Sequence, residues 1–405
     1  MKLRLRSLLL AALSVASAQA ARLSVTVTNP GAIARPSETI AVAWSEVARA
    51  LPGARLQHLV VRAPDGSSLP YQVTNVNPEV KDPLDLGLAY GDLLFQHDFA
   101  AGEASAAFTV ETSESVAPVF ASRVFARFVP ERYDDFAWEN DVIAHRTYGP
   151  ALAAPDTDHT GKEVDVSSGI DVWSKRVSYL IVDRWYNKGH YHTDEGEGLD
   201  MYGVHASRGC GGTGIWQDGK LAVSGNFQKW KVIANGPIRA IFELTYDPWD
   251  AGGLRVTEVK RYTVDAGHNL DQVDSTFTIV AGAAPALTVG IGLDKDSADK
   301  GQEPQSSVAT SAADGSIALW QVEKTHGSIG TAVIVPAASF SGFAADALNH
   351  LVLAQAKPGI PLRFYAGAGW SKAGRFTSRE AWDEYVAAWA ARIRRPVTTS
   401  LTLLP

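Results

Sequence analysis

Apolar and polar residues alternate with a period of two along most of the chain. In "LSVTVTN", Leu23, Val25 and Val27 alternate with Ser24, Thr26 and Thr28. "HLVVRAPDGSSLPYQVTN" reads as two strands joined at Pro64-Asp65-Gly66, and "DLLFQHDFAAGEASAAFTVE" as two more around Ala101-Gly102. Such alternation buries one face of a strand and leaves the other polar. Short strands at this spacing predict a β-sandwich over 21–117. After the turn at Asn235-Gly236-Pro237, Ile238, Ala240, Phe242, Leu244 and Tyr246 share one face. "VTEVKRYTV" and "VDSTFTIV" continue the alternation on either side of Ala266-Gly267-His268-Asn269. Long paired strands of this kind predict a large antiparallel two-sheet sandwich over 118–405, the catalytic or binding unit. "VSYLIV" reads as a buried strand.

The period changes once. Trp382, Tyr385, Val386, Trp389 and Ile393 recur at helical spacing, Thr377 and Glu380 fit a capping box, and Pro396 ends the run. These predict a helix over 378–395 whose tryptophans anchor it to the core. The fold class expected is mainly β, an N-terminal sandwich and a larger one with a C-terminal helix.

The first twenty residues stand apart. Lys2, Arg4 and Arg6, the apolar run Leu8 to Val15, and Ala18-Gln19-Ala20 make the pattern of an export signal cleaved near Ala20. The run is shorter than the roughly 20 residues a membrane helix needs. Removing those three cations takes 37 basic and 44 acidic residues to 34 and 44, a net −10. That balance argues against nucleic acid and anionic membranes as partners, and no protein partner is evident. Cys210 is the only cysteine, so no internal disulfide forms, and its small-residue surroundings predict a packed thiol. Export without disulfides fits a bacterial periplasm.

Ionisable groups concentrate in "GHYHTDEGEGLDMYG", residues 189–203. If the segment is extended, His190, His192 and Asp194 point the same way. Glu197 or Asp200 then completes a site for a divalent metal such as calcium or zinc. Alternatively, His192 and a tyrosine form an acid/base pair while Arg208 binds a substrate carboxylate. Arg184 and Lys188 are further local cations. Upstream, "ERYDDFAWENDVIAHRTYGPAL" offers Trp138 as a ring for a sugar face and Asn140 and Asp141 for its hydroxyls, or else a strand with paired polar residues. Downstream, "RFYAGAGWSKAGRF" offers Trp370 and Lys372 as the rim of a pocket, or a structural turn.

The segments "DDFAWEND", "YGPAL", "GIDVW", "YHTDEGEGLDMYGV", "RGCGG", "VIANGPIRAIFELTY" and "YAGAGWSKAG" occur in order from Val119 to Arg395. Together they resemble the family called domain of unknown function 4861. The resemblance implies Tyr191, His192, Asp194, Glu197, Asp200 and Tyr202 as the functional cluster, and demotes His190. Glu195 stands where that family often has histidine, which weakens a role for that position. The resemblance also implies a core like the galactose mutarotase sandwich and a uronic-acid-containing oligosaccharide as ligand.

On such a ligand the cluster suits β-elimination by a dehydratase or lyase. His192 would take the C5 proton, Tyr202 or Tyr191 would protonate the leaving oxygen, and Arg208 or Arg184 would neutralise the carboxylate. Two other readings remain open at this level. One is a glycoside hydrolase using Glu197 with Asp200, or Glu139 with Asp141. The other is a non-catalytic glycan-binding protein using Trp138, Trp173, Trp185 and Trp370.

Overall fold

The computed structural model describes residues 21–74, 91–157, 161–162, 164–295, 305–323 and 325–404. The export signal expected over 1–20 lies outside the described residues. The fold is mainly β, as the alternation predicts, and every pairing between its strands is antiparallel.

The N-terminal sandwich stacks a five-stranded sheet on a three-stranded one. Val25, Val27, Ile40, Phe95, Phe108 and Val110 fill its core, and these are the apolar positions of the alternating runs. One strand of that sheet comes from the far end of the chain. Thr398–Leu404 pairs along the whole of Arg22–Thr28, a strand the local pattern did not announce because most of its side chains are exposed.

The larger unit has an eight-stranded sheet facing two five-stranded sheets across one core. Phe242 and Tyr262 stack at 4.8 Å between ring centres in the middle of that core. Helix α1 (Trp44–Ala50), helix α2 (Pro150–Ala153) and helix α3 (Val182–Lys188) are short, and helix α4 (Arg379–Arg394) lies on the outer face of the large sheet. The side chains of Trp382, Val386 and Trp389 bury α4 against Ala318, Trp320, Ala332 and Ile334.

The cap of α4 differs from expectation by one residue. Ser378, not Thr377, has the extended backbone of an N-cap, and its Oγ accepts from the Ala381 N–H at 3.3 Å. Ser378→Ala is therefore expected to lower stability by about 1 kcal/mol, whereas Thr377→Ala changes it little. A urea melt of the two variants checks the assignment.

Candidate functional site

One of the two five-stranded sheets of the large unit gathers the charged residues of the candidate site. Its order is Gly198–Asp200, Ile170–Lys175, Ala144–Thr147, Asp135–Asn140 and Val124–Val129. The three central strands are buried along both faces. A buried polar side chain needs a partner, so the charged residues of these strands must find one another.

Register decides which ones meet. Arg146 sits opposite Asp171 on one side and Ala137 on the other, while Trp173 sits opposite Asp200. Alternation then places Asp135, Arg146, Asp171, Trp173 and Asp200 on one face. Arg146 is the hub. Its Nε donates to Asp171 at 2.7 Å, one Nη to Asp200 at 2.8 Å and the other to the Tyr191 hydroxyl at 3.2 Å. Asp135 lies 3.8 Å from Arg146 and 3.3 Å from Arg132. The rings of Tyr148, Trp173 and Tyr191 all lie within cation–π reach of the Arg146 guanidinium.

Three carboxyl groups thus share two guanidiniums. Burial raises Asp171, with the neighbouring Asp200 adding to it, and burial raises Asp200 and Asp135 against the pull of the arginines. The cluster is short of one positive charge and retains a proton more readily than free carboxylates do. Toward solvent, Asp200 is backed by His192. The imidazole Nδ1 lies 3.0 Å from the Asp200 carbonyl oxygen and 3.6 Å from its carboxylate, and the side chain is 67% exposed. A carbonyl only accepts, so Nδ1 carries the hydrogen and Nε2 is left as the acceptor of the neutral ring.

The loop that carries His192 is held by a helix that the sequence pattern misses. "VSYLIV" does not form a strand; α3 begins within it. The Glu139 carboxylate accepts the N–H groups of Ile181 and Val182 at 2.7 to 2.8 Å and so caps the helix start. Lys175, wholly buried, holds Glu139 in place at 2.8 Å. Gly189, with φ of 75°, ends α3 in the left-handed conformation that glycine tolerates best. The segment after it bends instead of running extended, so His190, His192 and Asp194 do not form a row.

The expected metal set is accordingly not assembled. Asp194 pairs with Arg176, Glu197 with Arg184 at 2.6 Å and with the Tyr179 hydroxyl at 2.6 Å, and Asp200 with Arg146. No group of three potential ligands converges among the described residues. Lys188 is paired with Glu195. The cations expected to receive a substrate carboxylate thus each hold a carboxylate of the protein, with the exception of Arg208.

Arg208 and Tyr202 fail for a different reason. Both are buried, at 1% and 4% exposure. Arg208 points into the core, donates to Ser168 at 2.9 Å, and burial lowers it to about 10. The Tyr202 hydroxyl packs in the same core, beside the Asp294 backbone. Trp138, Trp173, Trp185 and Trp370 are all at most 1% exposed, so none offers a face to a sugar. Trp138 donates to Asp271 and Trp370 to the His326 carbonyl. Asn140 is consumed by a turn, donating to Asp265 and His268 carbonyls and accepting from Val142 and Ile143. Lys372 is exposed and bonded to the Thr325 carbonyl. The Glu139–Asp141 pair is divided, Glu139 on Lys175 and Asp141 on Arg123. Cys210 is buried and its thiol is pushed up by burial, the inert packing expected.

Arg132, Asp135, Tyr148, Asp171 and Tyr186, whose hydroxyl donates to Asp135 at 3.4 Å, belong to the candidate site although the sequence reading did not select them. The available signal was Asp171 and Lys175 in "GIDVWSK", charges in an otherwise apolar strand. Their partners are distant in sequence.

Among solved structures the chain is similar to an alpha-mannosidase from Enterococcus faecalis V583, at 10% identity and a TM-score of 0.49 over 94% of this chain. It is also similar to a protein in glycosyl hydrolase family 38 from Enterococcus faecalis, at 11% identity and a TM-score of 0.47 over 94% of this chain. The chain spans 46% and 47% of those two proteins, about half their length. The expectation of a carbon–oxygen lyase is corrected, because Arg184 and Lys188, which it needs for a substrate carboxylate, are already paired with Glu197 and Glu195. The side chains assigned to elimination also do not meet, since Arg208 and Tyr202 face the core while His192 faces solvent. "Uncharacterized protein P7" of Formosa agariphila is 33% identical over 287 residues, 68% of this chain and 69% of that protein. The family model described as domain of unknown function, DUF4861, matches residues 27–399, and the chain belongs to that family.

Proposed function

We propose that this protein is a carbohydrate-active enzyme of the hydrolase type, with His192, Asp200 and Arg146 as its proton-handling site. One observation carries the reading: the face behind His192 holds three carboxyl groups against two guanidiniums. Elimination from a uronic acid develops negative charge and needs a free cation, and the cations around the loop are already paired. Glycoside hydrolysis develops positive charge at the anomeric carbon, which a carboxyl-rich face stabilises. The carbon–oxygen bond to the leaving sugar breaks, water supplies hydroxide to the carbon, and its other proton reaches the leaving oxygen. His192 carries that proton, with Asp200 fixing its tautomer and stabilising the imidazolium. The family resemblance, which implies a carbohydrate, supports the same ligand class.

The test is oligosaccharide digestion in ¹⁸O-labelled water, followed by mass spectrometry. Wild type is expected to give fragments with one label at the new reducing end. His192→Ala should lower the rate about 10²- to 10⁴-fold, and Asp200→Asn should lower it while leaving the melting curve cooperative. Unlabelled, unsaturated fragments, or full activity in His192→Ala, would overturn the proposal.

A further inference from the structure

A second site lies away from this cluster. A cleft of about 420 Å³ opens where the N-terminal sandwich, the outer face of the eight-stranded sheet and α4 meet. Its floor is set by register. Arg239 faces Asp265, Thr263 faces Gln272, Gln272 faces Tyr365 and Asp274 faces Arg363, all on one face of four adjacent strands. Glu38 and Thr39 form one wall, and Trp389 and Arg392 of α4 form the other.

Each arginine of the cleft is already neutralised. Arg239 grips Asp265 through two bonds of 2.6 Å, and Arg363 grips Asp274 at 2.8 and 2.9 Å. Arg392 donates twice to Glu38, at 2.6 and 3.1 Å, and lies 4.3 Å over the Trp389 ring. Arg35 reaches Glu38 at 3.7 Å from the buried side. A guanidinium has five N–H groups and a carboxylate about four lone-pair sites, so these pairs hold planar groups rigid without exhausting them. Gln272 donates to Asp274 at 2.9 Å and accepts from the hydroxyl of the half-buried Tyr365 at 3.4 Å, with Thr263 opposite it on the neighbouring strand.

We propose that this cleft binds an uncharged saccharide. Adjacent hydroxyl groups match pre-oriented carboxylate and guanidinium edges, and the Tyr365 ring supplies an apolar face for sugar C–H groups. An anionic ligand would bring its charge against Glu38 and Asp265, which line the cleft, and compete with ion pairs already made. The volume is on the order of two sugar rings, at the small end of ligand pockets. The saccharide class rests on the same carbohydrate reading as the hydrolytic site, but the cleft shares no residue with it.

The experiment is saturation-transfer NMR on the full chain with four neutral probes, maltose, cellobiose, xylobiose and mannobiose, and digalacturonate as the anionic probe. At least one neutral disaccharide is expected to bind. Tyr365→Ala and Gln272→Ala should each weaken it about tenfold, the loss of about 1.4 kcal/mol, and His192→Ala should leave it unchanged. Gln272→Ala guards against Tyr365→Ala disturbing the packing. Binding by none of the neutral probes, tighter binding of digalacturonate, or binding insensitive to both cleft variants would overturn the proposal. Loss of hydrolysis in His192→Ala with no cleft binding would leave the catalytic reading standing alone; cleft binding without any hydrolysis would do the reverse.

Discussion

Arg146→Met is expected to destabilise the protein by about 3–5 kcal/mol at neutral pH, the range for breaking a buried ion pair by removing one partner. The side chain is 4% exposed and serves two carboxylates directly. Without it, Asp135, Asp171 and Asp200 have only Arg132 nearby. They lie in a site where burial already favours their protonated forms, and losing the cation raises them further. A carboxyl group held above its unfolded value near 3.9 removes stability as pH rises from that value to the folded one. The deficit of Arg146→Met should therefore be small near pH 4 and full at pH 8. Urea midpoints at the two pH values measure it. Adding Asp171→Asn and Asp200→Asn to the variant should recover most of the loss, since the unpaired charges are then gone. A pH-independent deficit would assign the loss to the packing of the guanidinium on Tyr148, Trp173 and Tyr191.

Asp271→Asn is expected to do the opposite and stabilise the protein at pH 8. Asp271 is fully buried; burial pushes it up to about 7, although the Trp138 indole N–H at 2.7 Å partly opposes this. Its other oxygen has no partner. His145, 3.9 Å away, is no counter-ion, because burial holds it near 4. Its Nδ1 donates to the Asp171 carbonyl at 3.2 Å, which leaves Nε2 as an acceptor facing Asp271.

Between the unfolded value near 3.9 and about 7 the unfolded chain releases this proton while the folded chain keeps it. Stability therefore falls with rising pH across that window, by up to about 4 kcal/mol once pH exceeds 7. Asparagine has no such proton to release and still accepts from Trp138. The gain should be about 2–4 kcal/mol at pH 8 and vanish toward pH 4, as read from denaturation curves across that range. A loss at pH 8 would mean that the ionised carboxylate is needed in the core.

Both residues stand at the junction of what is local and what is not. The alternation in "LSVTVTN" and in the run from Ile238 to Tyr246 specified strands, because a residue's side of a strand depends only on its immediate neighbours. The spacing of Trp382, Val386 and Trp389 specified α4 for the same reason. Within the concentration of charge over 189–203, His192 and Asp200 lie side by side.

The rest depended on register and burial. Arg146 finds Asp171 because their strands pair without offset, and Trp173 brings Asp200 onto the same face; no short window of sequence contains that alignment. Glu139, about forty residues upstream in sequence, turns part of "VSYLIV" into the start of α3 by accepting two backbone N–H groups. Arg208 and Tyr202 look like catalytic groups in sequence, but the core excludes them from any ligand. Side-chain type and period are written into the chain, so the sequence alone determined the alternating strands, the terminal helix and the family. Which charges pair, which rings are exposed and which carboxyl groups keep their protons depend on distances set only when the sheets stack, so the tertiary structure decided the site.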